Sequence, residues 1–176
     1  IDSIKKLGIK VKIKKNYCEI FGNGINGFKY RNNLLINAKN SGTVGRLMLG
    51  LLIKSPKKIK LIGDKSLSKR DFLRITTPLQ KFGAKFYYKK KGKLPLSILG
   101  SKLPRSINYL ENKGSAQCKS AVMLAALNSS GTTIIKAKKS RNHTELLFKY
   151  LNVPIKVKTT KKYDFIDIKQ PKKIPA

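Results

Sequence analysis

Turns that open helices recur along the chain at nearly one interval. Ser41 and Ser115 are 74 positions apart, and Ser68 and Ser140 are 72 positions apart. Each serine lies between an apolar run and a stretch with helical spacing of apolar residues. So constant an interval predicts an internal duplication. The pattern favours an α/β (α+β) fold in which a strand–helix–strand–helix–strand–strand unit is used about twice, with helices covering one face of each sheet.

Apolar spacing also predicts where the strands and helices lie. Alternation over residues 9–14 indicates a strand, paired in a hairpin with Cys18–Phe21. Further strands are predicted at 34–37, 58–62, 84–88, 96–98 and 132–137. Helices are predicted at 44–52, at 72–82 with Ser68 as the cap and Gly83 at the end, at 118–127, and after Ser140. The last helix is expected to bury Leu146, Leu147, Tyr150 and Leu151.

The chain is strongly basic, with 40 Lys and Arg against 8 Asp and Glu and a formal net charge of +32. This charge favours a polyanionic partner, and a basic nucleic-acid-binding domain stays open as an alternative function. The lysines, however, are scattered over every segment, including predicted strands, instead of forming one basic helix or tail. We therefore interpret the excess as a compositional bias and expect no nucleic-acid partner.

No apolar run reaches the 18 or so residues that a membrane span needs, and the first residues do not resemble a secretory signal. We expect a soluble, cytoplasmic protein with no membrane partner. The chain begins with Ile1 in a segment that resembles the last turn of a helix. We therefore expect a single, partial domain over residues 1–176.

Residue types that bind metals or form disulfides are rare. Cys18 and Cys118 are the only cysteines and His143 is the only histidine, so we expect reduced, buried thiols and no metal site. His143 as a catalytic base would need an acidic partner, and Glu145 on the same helix is the only nearby candidate. The glycines of residues 22–27 match a dinucleotide fingerprint, but no helix is predicted to follow them, so we interpret them as turn residues.

Several predicted helices begin with small or polar residues, and helix starts bind anions through free N–H groups and the helix dipole. Arginine is scarce in this chain, yet Arg70 and Arg141 both lie beside such starts. A guanidinium can hold a carboxylate or phosphate by two hydrogen bonds. The sequence therefore predicts an anion site at these helix starts, although ordinary caps and surface charges would produce the same local patterns.

Five motifs resemble, in order, those of 5-enolpyruvylshikimate-3-phosphate (EPSP) synthases. The first is Asn-Ala-Lys-Asn-Ser-Gly-Thr at residues 37–43, followed by Arg46. The others are Gly-Asp-Lys-Ser-Leu-Ser-Lys-Arg at 63–70, Pro-Leu with Gly-Ala at 78–84, Gly-Ser-Ala-Gln-Cys-Lys-Ser-Ala at 114–121 and Ser-Arg-Asn-His-Thr-Glu at 140–145. The sister family that acts on a UDP-sugar, UDP-N-acetylglucosamine enolpyruvyl transferase, is the nearest alternative. It uses a loop cysteine that neither Cys18 nor Cys118 resembles.

The resemblance implies an enolpyruvyl transferase-like, inside-out α/β barrel domain built from repeated βαβαββ units. It implies transfer of the enolpyruvyl group from phosphoenolpyruvate to shikimate 3-phosphate with release of phosphate, without metal or other cofactor, in a parent enzyme that is a monomer. By the same resemblance, the residues that bind shikimate 3-phosphate are Ser115, Ala116, Gln117, Ser140 and Arg141. Those that bind phosphoenolpyruvate are Asn40, Gly42, Arg70 and Gln117.

Two residues depart from the family pattern. Lys39 stands where a glycine is usual, and Asp71 stands where a proline is common, in a position to pair with Arg70. The chain also lacks the family's early Lys-Ser…Arg segment and its second domain, so it comprises about two of the three repeats of the substrate-binding domain. We expect no catalytic acid or base within it, and no turnover by the chain alone.

Overall fold

The computed structural model describes residues 1–25 and 27–172. Within them, the predicted strands and helices occur in the predicted order, and elements at 65–68, 108–111, 155–159 and 163–169 were not individually predicted. The elements are α1 (Asp2–Lys6), β1 (Lys10–Ile13), β2 (Cys18–Phe21), β3 (Leu34–Asn37), α2 (Gly42–Leu51), β4 (Ile59–Ile62), α3 (Lys65–Ser68), α4 (Leu73–Lys81), β5 (Lys85–Tyr88), β6 (Leu96–Leu99), β7 (Asn108–Glu111), α5 (Ala116–Ala126), β8 (Thr132–Lys138), α6 (His143–Tyr150), β9 (Ile155–Thr159) and β10 (Tyr163–Lys169).

Two four-stranded sheets share one topology, which confirms the predicted repeat and the α/β class. Their strand orders are β3-β4-β6-β5 and β7-β8-β10-β9. In each sheet the first two strands are parallel and the other neighbours are antiparallel. A parallel pair needs a crossover helix, and α2 and α5 are these crossovers. The hairpin of β1 and β2 forms a separate two-stranded sheet.

The crossover helices α2 and α5 pack against each other at the centre of the fold. Gly50 makes this packing close, since a Cβ on it would lie 2.2 Å from the carbonyl oxygen of Ala121. Most of α5 is buried, including the run from Cys118 to Met123. One apolar cluster includes core residues of both repeats, such as Ile36 and Ile166. Because α2 and α5 pack against each other and α5 is buried along most of its length, their first residues have fixed relative positions.

Ser68 is not a helix cap, contrary to the prediction. It is the last residue of the short helix α3, and its hydroxyl donates to the carbonyl of Gly63. Asp64 caps α3 instead, its carboxylate accepting from the N–H of Leu67 at 2.7 Å. The helix predicted at 72–82 is α4, and the short helix α3 before it was not predicted. Gly83 follows α4 with φ of +103°, as expected for a glycine that ends a helix.

Three of the four residues predicted to face inward from α6 do not. Leu146, Leu147 and Tyr150 are 55%, 50% and 82% exposed, whereas Phe148 is buried with Glu145. Leu151, which follows α6, packs against the apolar core as predicted. Glu145 faces inward instead of a leucine and pairs with the buried Lys119. A helix's apolar stripe cannot reveal such a pairing.

The two cysteines are both free but differ in burial: Cys118 is buried as expected, and Cys18 is exposed. Among the described residues, no helix is long and apolar enough to cross a membrane.

Candidate active site at the helix starts

The turn between β3 and α2 is shaped by local hydrogen bonds. The Asn37 carboxamide oxygen accepts from the N–H of Lys39 at 2.8 Å, and Lys39 adopts a left-handed conformation with φ of +49°. This is the backbone region that favours glycine, which accounts for the glycine usual at this position in the family. Ser41 then caps α2 by accepting from Val44 N–H at 3.1 Å. Gly42 is thereby the first residue of α2.

Three functional groups converge on Gly42. A Cβ at this position would lie 3.0 Å from Arg46 Nη1, 3.1 Å from Arg70 Nη1 and 3.5 Å from Gln117 Oε1. The two guanidinium groups and the amide therefore lie against the first residue of α2, where no side chain keeps them away. Because a helix start also offers free N–H groups, these donors together suit a small anion. Asn40, two residues earlier, is exposed in the turn that leads to it.

The backbone of Arg70 lies before a helix and not inside its first turn, yet the Arg70 guanidinium reaches Gly42. Arg70 lies in the break between α3 and α4, where its N–H donates to the carbonyl of Leu67. Asp71 does not pair with it among the described residues; its carboxylate accepts from the N–H of Leu73 at 2.8 Å. The aspartate that replaces a proline therefore organises the start of α4 and leaves the Arg70 guanidinium available to an anion.

Arg46 is a site residue that the sequence reasoning did not assign a role. Its Nη1 donates to Gln117 Oε1 at 2.5 Å, and its guanidinium lies 5.6 Å from the centre of the Phe72 ring. Burial lowers its pKa, partly offset by the nearby Cys118, and Arg70 lowers it further. It still carries its charge at neutral pH. One signal was available: Arg46 is one turn after Gly42 on the same face of a helix.

Gln117 links the two repeats. Its Oε1 accepts from Arg46, and its Nε2 donates to Thr43 Oγ1 at 2.9 Å, so α2 holds both ends of the amide. Ser115 caps α5 by accepting from the N–H of Cys118 at 3.3 Å. A hydroxyl that accepts in a cap retains its own proton to donate to a ligand. The predicted residues Ser115, Ala116 and Gln117 therefore form one rigid helix start.

Residues from α2, α5 and the start of α6 share a small cavity of about 160 Å³. The hydroxyls of Ser120 and Thr144 hydrogen-bond at 2.7 Å beside it. Three predicted site residues, Ala116, Gln117 and Arg141, meet here. The lining is Thr43, Leu47, Ala116, Gln117, Ser120, Arg141, His143 and Thr144.

Ser140 lines a second, adjacent cavity of about 370 Å³, together with Asn142, Glu145 and Asp164. Its Oγ is buried and has no hydrogen-bond partner among the described residues. Glu145, the carboxylate considered as a partner of His143, contacts Lys119 instead. The structure therefore gives no support to His143 as a base activated by that carboxylate.

A cavity of about 360 Å³ is lined by Phe28, Tyr30, Leu51 and Lys54, beyond the ends of α2 and α5 that lie away from the arginines. It is largely apolar and has no arginine in its lining, so it does not suit a small anion. In the part of the chain that the structure describes, no three His, Cys, Asp or Glu residues are grouped to hold a metal ion.

Comparisons with known proteins agree with this geometry. The family model described as EPSP synthase (3-phosphoshikimate 1-carboxyvinyltransferase) matches residues 1–173. A 3-phosphoshikimate 1-carboxyvinyltransferase of Bacillus subtilis is 40% identical over 88% of this chain and 36% of its own length. One from a Sulfurihydrogenibium species is 38% identical over 99% of this chain and 40% of its own length.

The fold has a close counterpart among solved structures. An EPSP synthase from Acinetobacter baumannii superposes with a TM-score of 0.87 at 31% identity, over 98% of this chain and 38% of that one. The chain thus spans between a third and two fifths of the length of these relatives. By its family match, its relatives and its fold, the chain belongs to the EPSP synthase (3-phosphoshikimate 1-carboxyvinyltransferase) family.

Proposed function

We propose that this chain forms one half of an active site in which a whole protein transfers the enolpyruvyl group of phosphoenolpyruvate to shikimate 3-phosphate, releasing phosphate. The observation that supports this most strongly is the convergence of Arg46, Arg70 and Gln117 on Gly42. Both substrates are small phosphorylated anions. Cations and N–H donors fixed in advance replace the water that such anions lose on binding.

On this proposal, phosphoenolpyruvate lies against Asn40, Gly42 and Arg70, with Gln117 at the boundary between the two substrates. The Arg70 guanidinium is suited to a carboxylate or phosphate because it can donate two parallel hydrogen bonds. Gly42 permits both guanidinium groups to approach the backbone of the helix start closely, since a Cβ would lie 3.0 and 3.1 Å from their Nη1 atoms. Gln117 lies between the two subsites with its amide oriented by α2, and the second N–H of its amide is a donor for a substrate.

Shikimate 3-phosphate would lie against the starts of α5 and α6. Ser115, Ala116 and Gln117 contribute the start of α5, and Ser140 and Arg141 contribute the segment before α6. Arg141 is exposed at the cavity shared with Ala116 and Gln117, where its guanidinium is available to a phosphate. The buried, unpartnered Ser140 hydroxyl is a donor that a phosphate oxygen would satisfy.

The carboxylates near the site are already engaged. Asp71 accepts from Leu73 N–H, Glu111 accepts from Ser115 N–H, and Glu145 contacts Lys119. We propose that the acid and base belong to parts of the family's full length that this chain does not span, that the chain represents about two of three repeats of one domain, and that the whole protein is a cytoplasmic monomer without cofactor.

Calorimetric titration of shikimate 3-phosphate into the chain tests the half-site. We expect saturable binding that Gln117→Ala and Arg141→Ala each weaken by about tenfold, corresponding to about 1.4 kcal/mol. Arg105→Ala is the matched control, because Arg105 is exposed and lines neither cavity. Circular dichroism verifies that each variant is folded. Equal affinity in all three variants would contradict the assignment of the site.

A further inference from the structure

One lysine among the many in this chain is completely buried. Lys119 has no exposed surface, and its Nζ lies 2.5 Å from Glu145 Oε1 and 3.8 Å from Asp164 Oδ2. Glu145 is itself 3% exposed and Asp164 6%. Asp164 is oriented by Thr159, whose hydroxyl donates to its Oδ1 at 3.0 Å. An ammonium and two carboxylates therefore share the buried space between α5, α6 and β10.

Stability alone is a poor explanation of this cluster. Burying a charge costs several kcal/mol per ion, about as much as the attraction between the ions returns. Apolar residues of similar volume often stabilise a protein as well or better. A buried ion pair does impose a defined geometry, because the two groups are costly when separated. The cluster therefore suits a place where the relative position of two helices matters.

The helices that the pair joins are those that carry the predicted phosphate ligands. Lys119 is one turn after Ser115 on α5, and Glu145 is in the first turn of α6, a few residues after Arg141. The bond between Ser120 and Thr144 is a second, neutral link at the same level. The pair thus lies directly behind the cavity that Gln117 and Arg141 share.

Glu145 also faces the cavity of Ser140. Both residues line the 370 Å³ cavity, and the Oε2 atom of Glu145 and the Oγ of Ser140 are buried without hydrogen-bond partners among the described residues. Displacement of the glutamate would therefore move the wall against which Ser140 is held, as well as the start of α6.

We propose that Lys119 and Glu145 are positioning residues, which fix the segment of Ser140 and Arg141 at the spacing from Gln117 that the phosphate group of shikimate 3-phosphate requires. The inference rests on the proposed function, since it assigns this phosphate to that segment. Neither side chain touches the substrate; the pair acts through the placement of Ser140 and Arg141.

The decisive variant is the double change Lys119→Met with Glu145→Gln, which keeps the side-chain volumes and leaves neither member of the pair without its partner. Asp164 keeps its hydrogen bond from Thr159. Affinities for shikimate 3-phosphate and for unphosphorylated shikimate are measured by calorimetry, and urea unfolding reports stability. We expect affinity for shikimate 3-phosphate to fall about tenfold while that for shikimate is unchanged. A purely structural role would change both affinities together. Lys60→Met, on the exposed face of β4, is the matched control.

Hydrogen exchange of the peptide covering residues 139–146 gives a readout that needs no ligand. In the double variant we expect this peptide to exchange faster, with the β3–β6 sheet unchanged. The single variant Glu145→Asp, which keeps a carboxylate beside Lys119, should exchange more slowly in this peptide than the double variant. A folded double variant with unchanged phosphate preference and unchanged exchange would overturn the positioning role. If the unmodified chain binds neither ligand, the proposed function fails, and the exchange result alone then decides whether the pair orders this segment.

Discussion

Gly50 of α2 lies against the carbonyl oxygen of Ala121 in α5, so closely that a Cβ on the glycine would be 2.2 Å from that oxygen. This contact lets the crossover helices of the two repeats approach backbone to backbone. At their starts, Arg46 of α2 and Gln117 of α5 are hydrogen-bonded. The closeness of the helices is therefore a condition for the site.

Gly50→Ala should destabilise the fold. The new methyl group would collide with backbone, which cannot rotate away, and overpacking of this kind costs about 3 kcal/mol. Urea unfolding measures the change. Gly22→Ala is the control, because no atom lies within 4 Å of a Cβ at Gly22. Equal unfolding midpoints for the two variants would contradict the close packing of α2 on α5.

Gly42→Ala should leave the fold intact and weaken binding of phosphoenolpyruvate. The added methyl would contact the ends of the flexible Arg46 and Arg70 side chains at 3.0 and 3.1 Å, so these side chains can shift but no longer bound the same space. We expect an affinity loss of about tenfold for phosphoenolpyruvate, measured in the presence of saturating shikimate 3-phosphate. Binding of shikimate 3-phosphate alone is the internal control and should change much less. The opposite order of losses would be evidence against the assignment of Gly42.

Arg46→Met should weaken binding of shikimate 3-phosphate although Arg46 is not among the predicted ligands. The variant removes the donor to Gln117 Oε1 and leaves only the bond between Gln117 and Thr43 to orient the amide. We expect a loss of about tenfold in calorimetry, corresponding to about 1.4 kcal/mol. The same replacement at the exposed Arg105 should have no effect. Unchanged affinity in Arg46→Met would mean that Gln117 does not depend on this bond.

Lys39→Gly should stabilise the chain slightly. Lys39 has φ of +49°, which costs a residue with a side chain about 1 kcal/mol, whereas glycine adopts this conformation freely but is less ordered when unfolded. The net expectation is a gain of about 0.5 kcal/mol in urea unfolding. Lys60→Gly, in the exposed position of a strand, should instead destabilise by about 1 kcal/mol. A clear loss of stability in Lys39→Gly would show that the lysine makes a contribution beyond its backbone conformation.

Stability should fall at alkaline pH partly because of Tyr109. Burial raises the pKa of this phenol, and the neighbouring Cys118 and Glu111 raise it further. The unfolded chain ionises its tyrosines near pH 10, so the stabilisation is complete below about pH 10 and is lost as pH rises toward the folded pKa.

Urea unfolding between pH 8 and pH 12 isolates this effect. The free energy of unfolding of Tyr109→Phe should differ from that of the unmodified chain by a constant amount up to about pH 10. Above that pH, the variant should lose up to about 1.4 kcal/mol less of this free energy per pH unit than the unmodified chain. Tyr150→Phe, at an 82% exposed tyrosine, corrects for the titration of the many lysines, because it should run parallel to the unmodified chain. Parallel curves for both variants would mean that the Tyr109 phenol ionises equally in the folded and unfolded states.

Much of the fold was predictable because its signals are local. The alternation of β1, the apolar spacing of α2 and the serine cap of α5 each depend on neighbouring residues, and the structure has them at nearly the predicted bounds. The errors arose where a local pattern had two solutions. Asp64 and Ser68 are both residue types that cap helices, but Asp64 caps the unpredicted α3 and Ser68 ends it, and the leucine doublet of α6 left its inward face undetermined.

The sequence by itself determined the repeated unit, the helix starts that offer N–H groups to an anion, and the family to which those motifs point. Tertiary structure alone decided that Arg46 meets Gln117 across 71 positions and that Lys119 is buried against Glu145. The physical reason is range. Helix spacing and caps are set by residues a few positions apart, whereas these contacts exist only because two close-packed helices bring remote segments together.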